Sequence, residues 1–351
     1  MISLVDAGSV LDDKGEPIGH GLKVLKELPE LFEGDIEILA GKPYIQRLKN
    51  RVKALPYSRR PGSGNEDFKM LLNYFVSLFF AKGDILVYTY TLEALLWGIA
   101  LFKWKRKIIA VTYENWETYI RNNLSDKPVR RFLVRKGLSD LDGCIVTNFT
   151  YKPKVPYIRL PDYFITDQIL KYRKEIHKDG CVCLGEMRGT KDIEGFIRVM
   201  RKTDIPVLIA GRFKSKEAYI KAKALQTKNI KIENKNLSYD IYMEHLSQYK
   251  YVVLPYNMKC YDGRTSGVLL EGIFLGAIPI APKGLLEQNR IQGLGYDVLS
   301  DIPVLIRSYE EGKIMVNNKL ERYQMEECKK RLRRFINQFN AERTLGRTKN
   351  V

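Results

Sequence analysis

The sequence predicts an α/β protein: two successive parallel sheets, each covered by helices on both faces, with a long basic helix at the end. Three observations carry this. Apolar blocks of four to six residues alternate with amphipathic stretches, the pattern of strands buried on both faces. That alternation runs twice, broken by the proline-rich passage KPKVPYIRLPDYF (152–164), the best linker in the chain. The length, 351 residues, exceeds one domain and suits two of about 150–180.

The first run opens with a strand at 2–6, a loop rich in Gly and Asp, and a helix over 20–31. A strand at 36–40 follows, then a basic, Pro/Gly-punctuated loop over 42–65. Helix 67–80, strand 84–88, helix 91–102, strand 107–112, helix 126–139 and strand 143–147 complete it. The second run has strands at 180–184, 206–210, 230–232, 251–254 and 278–281. Helices 192–202, 215–227, 239–247 and 266–275 separate them, and 317–343 reads as the basic final helix. These are two Rossmann-like units, whose ligands sit beyond the carboxyl ends of strands.

Hydrophobic residues at 45% and aromatics at 11% provide two cores and exclude disorder. No stretch approaches the roughly 20 apolar residues of a membrane span. MISLVDAGSV has no basic region before its apolar residues, so it reads as a strand and not a signal peptide, with the cytosol as the expected compartment. Five cysteines without a CxxC pair read as reduced, buried thiols, and Cys181 and Cys183 face one side of a strand. The net charge of +18 favours polyanions, an anionic membrane face or phosphorylated substrates. It clusters in KWKRK (103–107), KPVRRFLVRK (127–136) and KKRLRR (329–334). No zinc-finger spacing, RNP-like strand or basic heptad helix is present, so nucleic acid is not an expected partner. Trp104, Leu101 and Phe102 beside the first basic cluster suit a lipid headgroup interface, and a solvated helix end is the other reading.

Two loops at strand carboxyl ends carry the chemistry. In LGEMRGTKD (184–192), Arg188 and Lys191 stand three apart where loop becomes helix, and two cations beside free helix N–H groups suit a diphosphate. In YDGRTSGVLLEGIFLGAIPIAP (261–282), Gly263 and Gly267 let backbone approach a ligand, and Thr265 or Ser266 can cap the next helix. Glu271 sits on that helix among Leu269, Leu270, Ile273, Phe274 and Leu275. A buried carboxylate there needs a partner, and a pair of sugar hydroxyls suits it. An exposed helix stripe is the alternative. The three histidines, 20, 177 and 245, have no metal-ligand spacing, and no Walker lysine motif exists.

These residues resemble the two-Rossmann (GT-B) nucleotide-sugar glycosyltransferases, particularly the retaining family-4 type. LGEMRGTKDIEGFI, VLIAGRF, YMEHLSQYKYVVLPY and the 261–282 block follow that family's order over about 180–282. The first half resembles it more loosely, through GHGLKVLKEL, DILVYTYT and LDGCIVTN. The resemblance implies Arg188 and Lys191 as the diphosphate clamp and Glu271 as the ribose-binding glutamate. It implies Thr265, Ser266 and Gly267 as the turn meeting donor phosphates and sugar, and Gly19 and Gly21 as a glycine loop over the diphosphate. Two positions depart from the family. Its usual arginine is here Glu186, leaving Arg188 to serve. Its first glutamate, eight positions before Glu271, is here Gly263, so Asp262 takes that contact or the contact is absent. Where relatives place a histidine, VTYENWE offers Tyr113 or Glu114, and His20 is a further active-site group. Asp140-Leu141-Asp142 matches the metal-binding Asp-x-Asp of the other large glycosyltransferase fold, but it precedes a strand, away from a carboxyl-end site.

The expectation is therefore a metal-independent GT-B enzyme with no cofactor, its domains facing across a cleft. Residues 1–160 form the acceptor-side domain and 161–320 the nucleotide-sugar domain. The basic helix 321–351 crosses back to the first domain. The catalytic candidates are Asp262, Glu114 and His20. The expected partners are a nucleotide-sugar donor, a glycan or lipid-linked acceptor, and an anionic membrane. A nucleotide-sugar epimerase, an inverting transferase or a non-catalytic binding protein of the same fold are the alternatives.

Overall fold

The computed structural model describes all residues except 12–14, 16–19, 49–51, 60–64, 104, 176–177 and 348–351, and gives the backbone alone at His20, Lys178 and 340–347. The chain forms two compact units, Met1–Asp162 with Met325–Val351, and Tyr163–Gln324.

The first unit is a seven-stranded parallel sheet. Its strands are β1 (Ile2–Val5), β2 (Ile36–Gly41), β3 (Val52–Leu55), β4 (Ile85–Tyr88), β5 (Lys107–Thr112), β6 (Gly143–Val146) and β7 (Tyr157–Arg159). They lie in the order β3-β2-β1-β4-β5-β6-β7. Helices α1 (His20–Glu27, prolonged by a 3-10 turn over Leu28–Leu31), α2 (Lys42–Ile45), α3 (Glu66–Phe80), α4 (Glu93–Leu101), α5 (Trp116–Asn123) and α6 (Pro128–Asp140) connect them. β1 pairs with β2 on one side and β4 on the other, so the strand order reverses there. In such sheets this switch point opens a crevice at the carboxyl ends.

The second unit opens with α7 (Asp167–Leu170) and carries a six-stranded parallel sheet. Its strands are β8 (Lys178–Leu184), β9 (Val207–Gly211), β10 (Ile230–Asn234), β11 (Tyr249–Val253), β12 (Ile278–Pro282) and β13 (Leu294–Tyr296). They run in the order β10-β9-β8-β11-β12-β13, so the switch point is β8/β11. Its helices are α8 (Ile193–Met200), α9 (Lys216–Ala224), α10 (Tyr239–Gln248), α11 (Met258–Tyr261), α12 (Gly267–Phe274), α13 (Lys283–Asn289) and α14 (Ile302–Glu310). The final helix, α15 (Met325–Arg347), belongs to the first unit, where the Arg331 guanidinium hydrogen-bonds the Arg159 carbonyl.

Strand alternation explains the near-continuous apolar runs. Cys181, Cys183, Val207, Ile209, Tyr251 and Val253 enter one core, while Val182, Leu184, Leu208, Ala210 and Val252 enter the other. Both faces are thus buried, at roughly 1.5–3 kcal/mol for each large apolar side chain. Cys144, Cys181, Cys183 and Cys328 are buried free thiols, and burial pushes Cys144 and Cys328 up to about 12. Cys260 departs from the buried-thiol expectation, because it sits exposed on α11.

The structure corrects several element assignments. The loop over 42–65 contains α2 and the edge strand β3, whose VKAL carries too short an apolar pattern to stand out. The proline-rich passage is not a plain linker, since β7 lies within it and pairs with β6. α5 is started by Asn115, whose side chain accepts hydrogen bonds from the Glu117 and Thr118 amides, a cap that composition does not announce. α11, α13, β13 and α14 likewise add to the elements expected from the sequence.

Candidate functional site

In the second unit the residues singled out gather at the β8/β11 switch point. The loop after β8 is tied to the segment after β11 by Asp192 N to Pro255 O (2.8 Å) and Asn257 N to Thr190 O (2.9 Å). These bonds tuck the Lys191 side chain inward. Its ammonium donates to the Leu184 carbonyl (2.9 Å) and stands 5.5 Å from the centre of the Tyr256 ring. Burial, the largest influence, holds the Lys191 pKa below the ordinary lysine value, and the Arg188 charge acts in the same direction. Such a cation is incompletely matched by the protein, the condition in which an anionic ligand gains most.

Tyr256 links this lysine to α12. Its hydroxyl lies 3.1 Å from Ser266 Oγ, and its ring stacks on Tyr261 at 4.0 Å. Ser266 is the residue that caps α12, accepting from the Leu269 amide at 3.4 Å, while Thr265 is half-buried beside it. A β-carbon built on Gly185 would lie 3.5 Å from Lys191 Nζ and 3.9 Å from a Val268 methyl, which sets the ammonium against the first turn of α12. A β-carbon at Gly267 would meet the Tyr163 hydroxyl at 2.3 Å, so close packing against Tyr163 demands that glycine.

Glu271 is buried, not on an exposed stripe. Its Oε2 accepts a hydrogen bond from the Tyr242 hydroxyl at 2.8 Å. Burial first, and then the Glu271 charge, push the Tyr242 phenol well above its ordinary value, so Tyr242 is a permanent donor.

Arg188 is largely exposed and paired with Glu186, which also meets Lys214 at 2.6 Å. Burial raises the Glu186 carboxyl, but hydrogen bonds from Lys214 and Arg188 outweigh it and hold it below the usual carboxylate range. Glu186, standing where the resemblance expects an arginine, thus positions two cations at the mouth of this loop.

Gly263 adopts φ +73°, and its amide donates to Gln288 Oε1 at 3.0 Å. Gln288 Nε2 in turn donates to the Tyr261 and Arg264 carbonyls, both at 2.8 Å. The turn is therefore built for glycine at this position, and a glutamate is not a simple omission. Gly263→Glu is expected to lower stability by about 1–2 kcal/mol, the left-handed penalty for an L-residue. Urea unfolding checks this, and a midpoint equal to wild type counts against it. Asp262, on the neighbouring position, is exposed and ends α11.

In the first unit, Glu114 is half-buried in the loop after β5, where its carbonyl accepts from Thr112 Oγ1 (3.3 Å). Gly21 lies in the first turn of α1. Gly19 and the His20 side chain fall outside the described residues. Asp140 and Asp142 both precede the amino end of β6, where Lys136 meets Asp140 (2.5 Å) and Lys103 and Lys107 meet Asp142 (2.8 and 3.5 Å). Both aspartates are thereby ion-paired, far along the strand from any carboxyl-end site. Tyr242, Tyr256 and Gln288 were not singled out from the sequence. Only Tyr256 carried a signal there, as the first aromatic beyond a strand's carboxyl end.

The fold these two units define is GT-B. Sucrose-phosphate synthase from Thermosynechococcus elongatus has it at a TM-score of 0.64, with 12% identity over 99% of each chain. UDP-GlcNAc 2-epimerase from Neisseria meningitidis, bound to UDP-GlcNAc, is similar at 0.60, with 13% identity over 96% of this chain and 100% of that one. A UDP-forming α,α-trehalose-phosphate synthase from Burkholderia xenovorans is similar at 0.58, with 11% identity over 97% and 98%. No protein-family model matches the sequence, and no curated protein matches it either.

Proposed function

We propose that the chain is a nucleotide-sugar-dependent glycosyltransferase whose second unit holds the donor nucleotide. The observation that carries this is the convergence of Lys191, Ser266 and the first turn of α12 around Tyr256 at the β8/β11 switch point. Lys191, Arg188 and the amides of Gly267 and Val268 would neutralise a diphosphate, and Glu271 would accept the ribose hydroxyls. Neutralising the departing diphosphate is electrostatic stabilisation where charge develops. The first unit would supply Glu114 or His20, and Asp262 would reach the transferred sugar. The resemblance favours retention of configuration and a glycan or lipid-linked acceptor, with no metal or cofactor in the mechanism.

The test is a panel of nucleotides and nucleotide-sugars read by thermal shift, beginning with UDP because two similar folds carry UDP in their names. At a hundredfold excess over Kd a ligand stabilises by about 2.7 kcal/mol, several degrees in melting temperature. A panel in which none stabilises the chain would falsify the reading. A second reading, a nucleotide-sugar 2-epimerase, draws on the similarity to epimerases and on Gly263 in place of the donor-sugar carboxylate. Epimerisation needs no acceptor, so product analysis without one separates the two.

The membrane is the proposed setting of the acceptor. Among the described residues no helix is long and apolar enough to cross a membrane. α3, α4 and α6 lie side by side and expose Phe79, Phe80, Leu101, Phe102, Val129 and Phe132. Phe79 and Phe102 pack 6.0 Å apart, and Lys103, Lys105, Lys127, Arg135 and Lys136 are exposed on α6 and the segments next to α4 and α6. Exposed apolar side chains and exposed cations on neighbouring helices fit an anionic bilayer surface. The chain is expected to co-sediment with phosphatidylglycerol-containing vesicles at low salt, and Phe79→Ser with Phe132→Ser to lose about tenfold in partition. Equal sedimentation by wild type and double variant would remove this surface.

A further inference from the structure

The loop that holds Lys191 is electrically neutral on its own. Residues 184–192 carry Arg188 and Lys191 against Glu186 and Asp192. Asp192 caps α8, where it accepts from the Gly195 amide at 2.8 Å. A neutral loop attracts a polyanion weakly, so a further cation has to come from another segment. The structure supplies one from the loop after β9. Met187 and Phe213 form a parallel bridge that continues the β8–β9 pairing beyond the strand ends. Met187 N donates to Arg212 O (2.9 Å), and Lys214 N donates to Met187 O (3.1 Å). Phe213 N donates in turn to Asn234 Oδ1 at 3.0 Å. A β-carbon at Gly211 would lie 1.9 Å from the Gly185 carbonyl oxygen, so only glycine lets the two loops approach this closely.

Side chains alternate across such an extension. Met187 and Phe213 enter the core, which leaves Glu186 and Arg188 on the outer face with Lys214. There the Lys214 ammonium meets Glu186 at 2.6 Å, and Arg188 meets the same carboxylate. Glu186 directly follows Gly185, the residue set against Lys191 and the first turn of α12. We infer that Lys214 is a phosphate-binding residue of this site, contributed by the second loop, and that Glu186 is the positioning residue that holds it there. Three features support this. Lys214 adds positive charge to a loop that has no excess of its own. Its backbone is fixed by Met187 while its side chain is exposed, so the ammonium can turn from a carboxylate to a ligand oxygen without refolding. Glu186 is also within electrostatic reach of Lys191: burial lowers the Lys191 pKa most, and the Glu186 charge acts against that. A plain surface ion pair is the alternative, and it predicts no change in ligand affinity. Naming the anion as the donor's diphosphate rests on the reading above. The anion site itself does not.

The test is calorimetric titration of the full chain with UDP and with inorganic pyrophosphate. Lys214→Met is expected to weaken both by about tenfold, the loss of one charge-assisted hydrogen bond. Lys216→Met removes an exposed cation from the first residue of α9 and is expected to stay within about twofold, because diffuse charge is screened. Adding Glu186→Arg to Lys214→Met returns a cation to the same face. That double variant is expected to recover affinity to within about threefold of wild type, which a purely structural ion pair would not do. Unchanged affinity in Lys214→Met, an equal loss in Lys216→Met, or no recovery in the double variant overturns the proposal. Pyrophosphate binding that needs Lys214, without any UDP binding, keeps the proposal and rejects the nucleotide reading. UDP binding indifferent to Lys214→Met does the converse, and a chain that binds neither probe overturns both.

Discussion

Glu271→Gln is expected to weaken nucleotide binding by about 100-fold, and Glu271→Ala to abolish UDP-induced stabilisation altogether. Two hydrogen bonds to a carboxylate contribute about 1.5–3 kcal/mol each, and losing both corresponds to at least two decades in Kd. Gln is the cleaner variant because its amide oxygen still accepts from Tyr242, so the buried phenol at 2.8 Å is not orphaned. Ala removes that acceptor and adds a folding penalty of about 1–3 kcal/mol. Tyr242→Phe separates the two roles of the carboxylate. If Glu271 only satisfies Tyr242, then Glu271→Gln and Tyr242→Phe will both leave UDP titrations unchanged. Thermal shift and calorimetric titration of the three variants decide between these outcomes.

Lys191→Met is expected to lower kcat by about 10²–10³, the cost of removing one donor aimed at developing charge. Met keeps the unbranched apolar stem beside Tyr256, so the loss falls on charge and not on packing. The buried ammonium also makes a pH-dependent statement. In the free protein its pKa lies below 10.5, and a bound diphosphate favours the charged form. Nucleotide binding therefore takes up a proton at pH values between the depressed pKa and the ordinary one, and the uptake vanishes in Lys191→Met. Calorimetry in two buffers of different ionisation enthalpy measures it. A kcat within a few-fold of wild type, or uptake that persists in Lys191→Met, places the charge elsewhere.

Much of the fold was legible in the sequence because buried parallel strands leave continuous apolar runs. VCL, VLIA, YVV and IPIA each announce a central strand by composition and period alone. Edge elements were less legible. β3 and β7 are three or four residues long and half-exposed, so they carry Lys53, Pro-flanked Tyr157 and Arg159 in place of an apolar run. Short helices such as α5 and α11 depend on an asparagine cap at Asn115 or Asn257, which reads equally as loop.

The sequence by itself determined two parallel-sheet units, the glycine turns, and a single carboxylate on an otherwise apolar helix at Glu271. Those follow from nearest neighbours along the chain: the period of apolar residues and the tolerance of glycine. Tertiary structure alone decided that Tyr242 meets that carboxylate, that Tyr256 joins Lys191 to Ser266, and that Gly263 is a φ +73° turn held by Gln288. Each of these pairings spans ten to a hundred residues and depends on which strands lie side by side. Strand order is set by packing of whole helices against the sheet, and no local pattern of residue types encodes it.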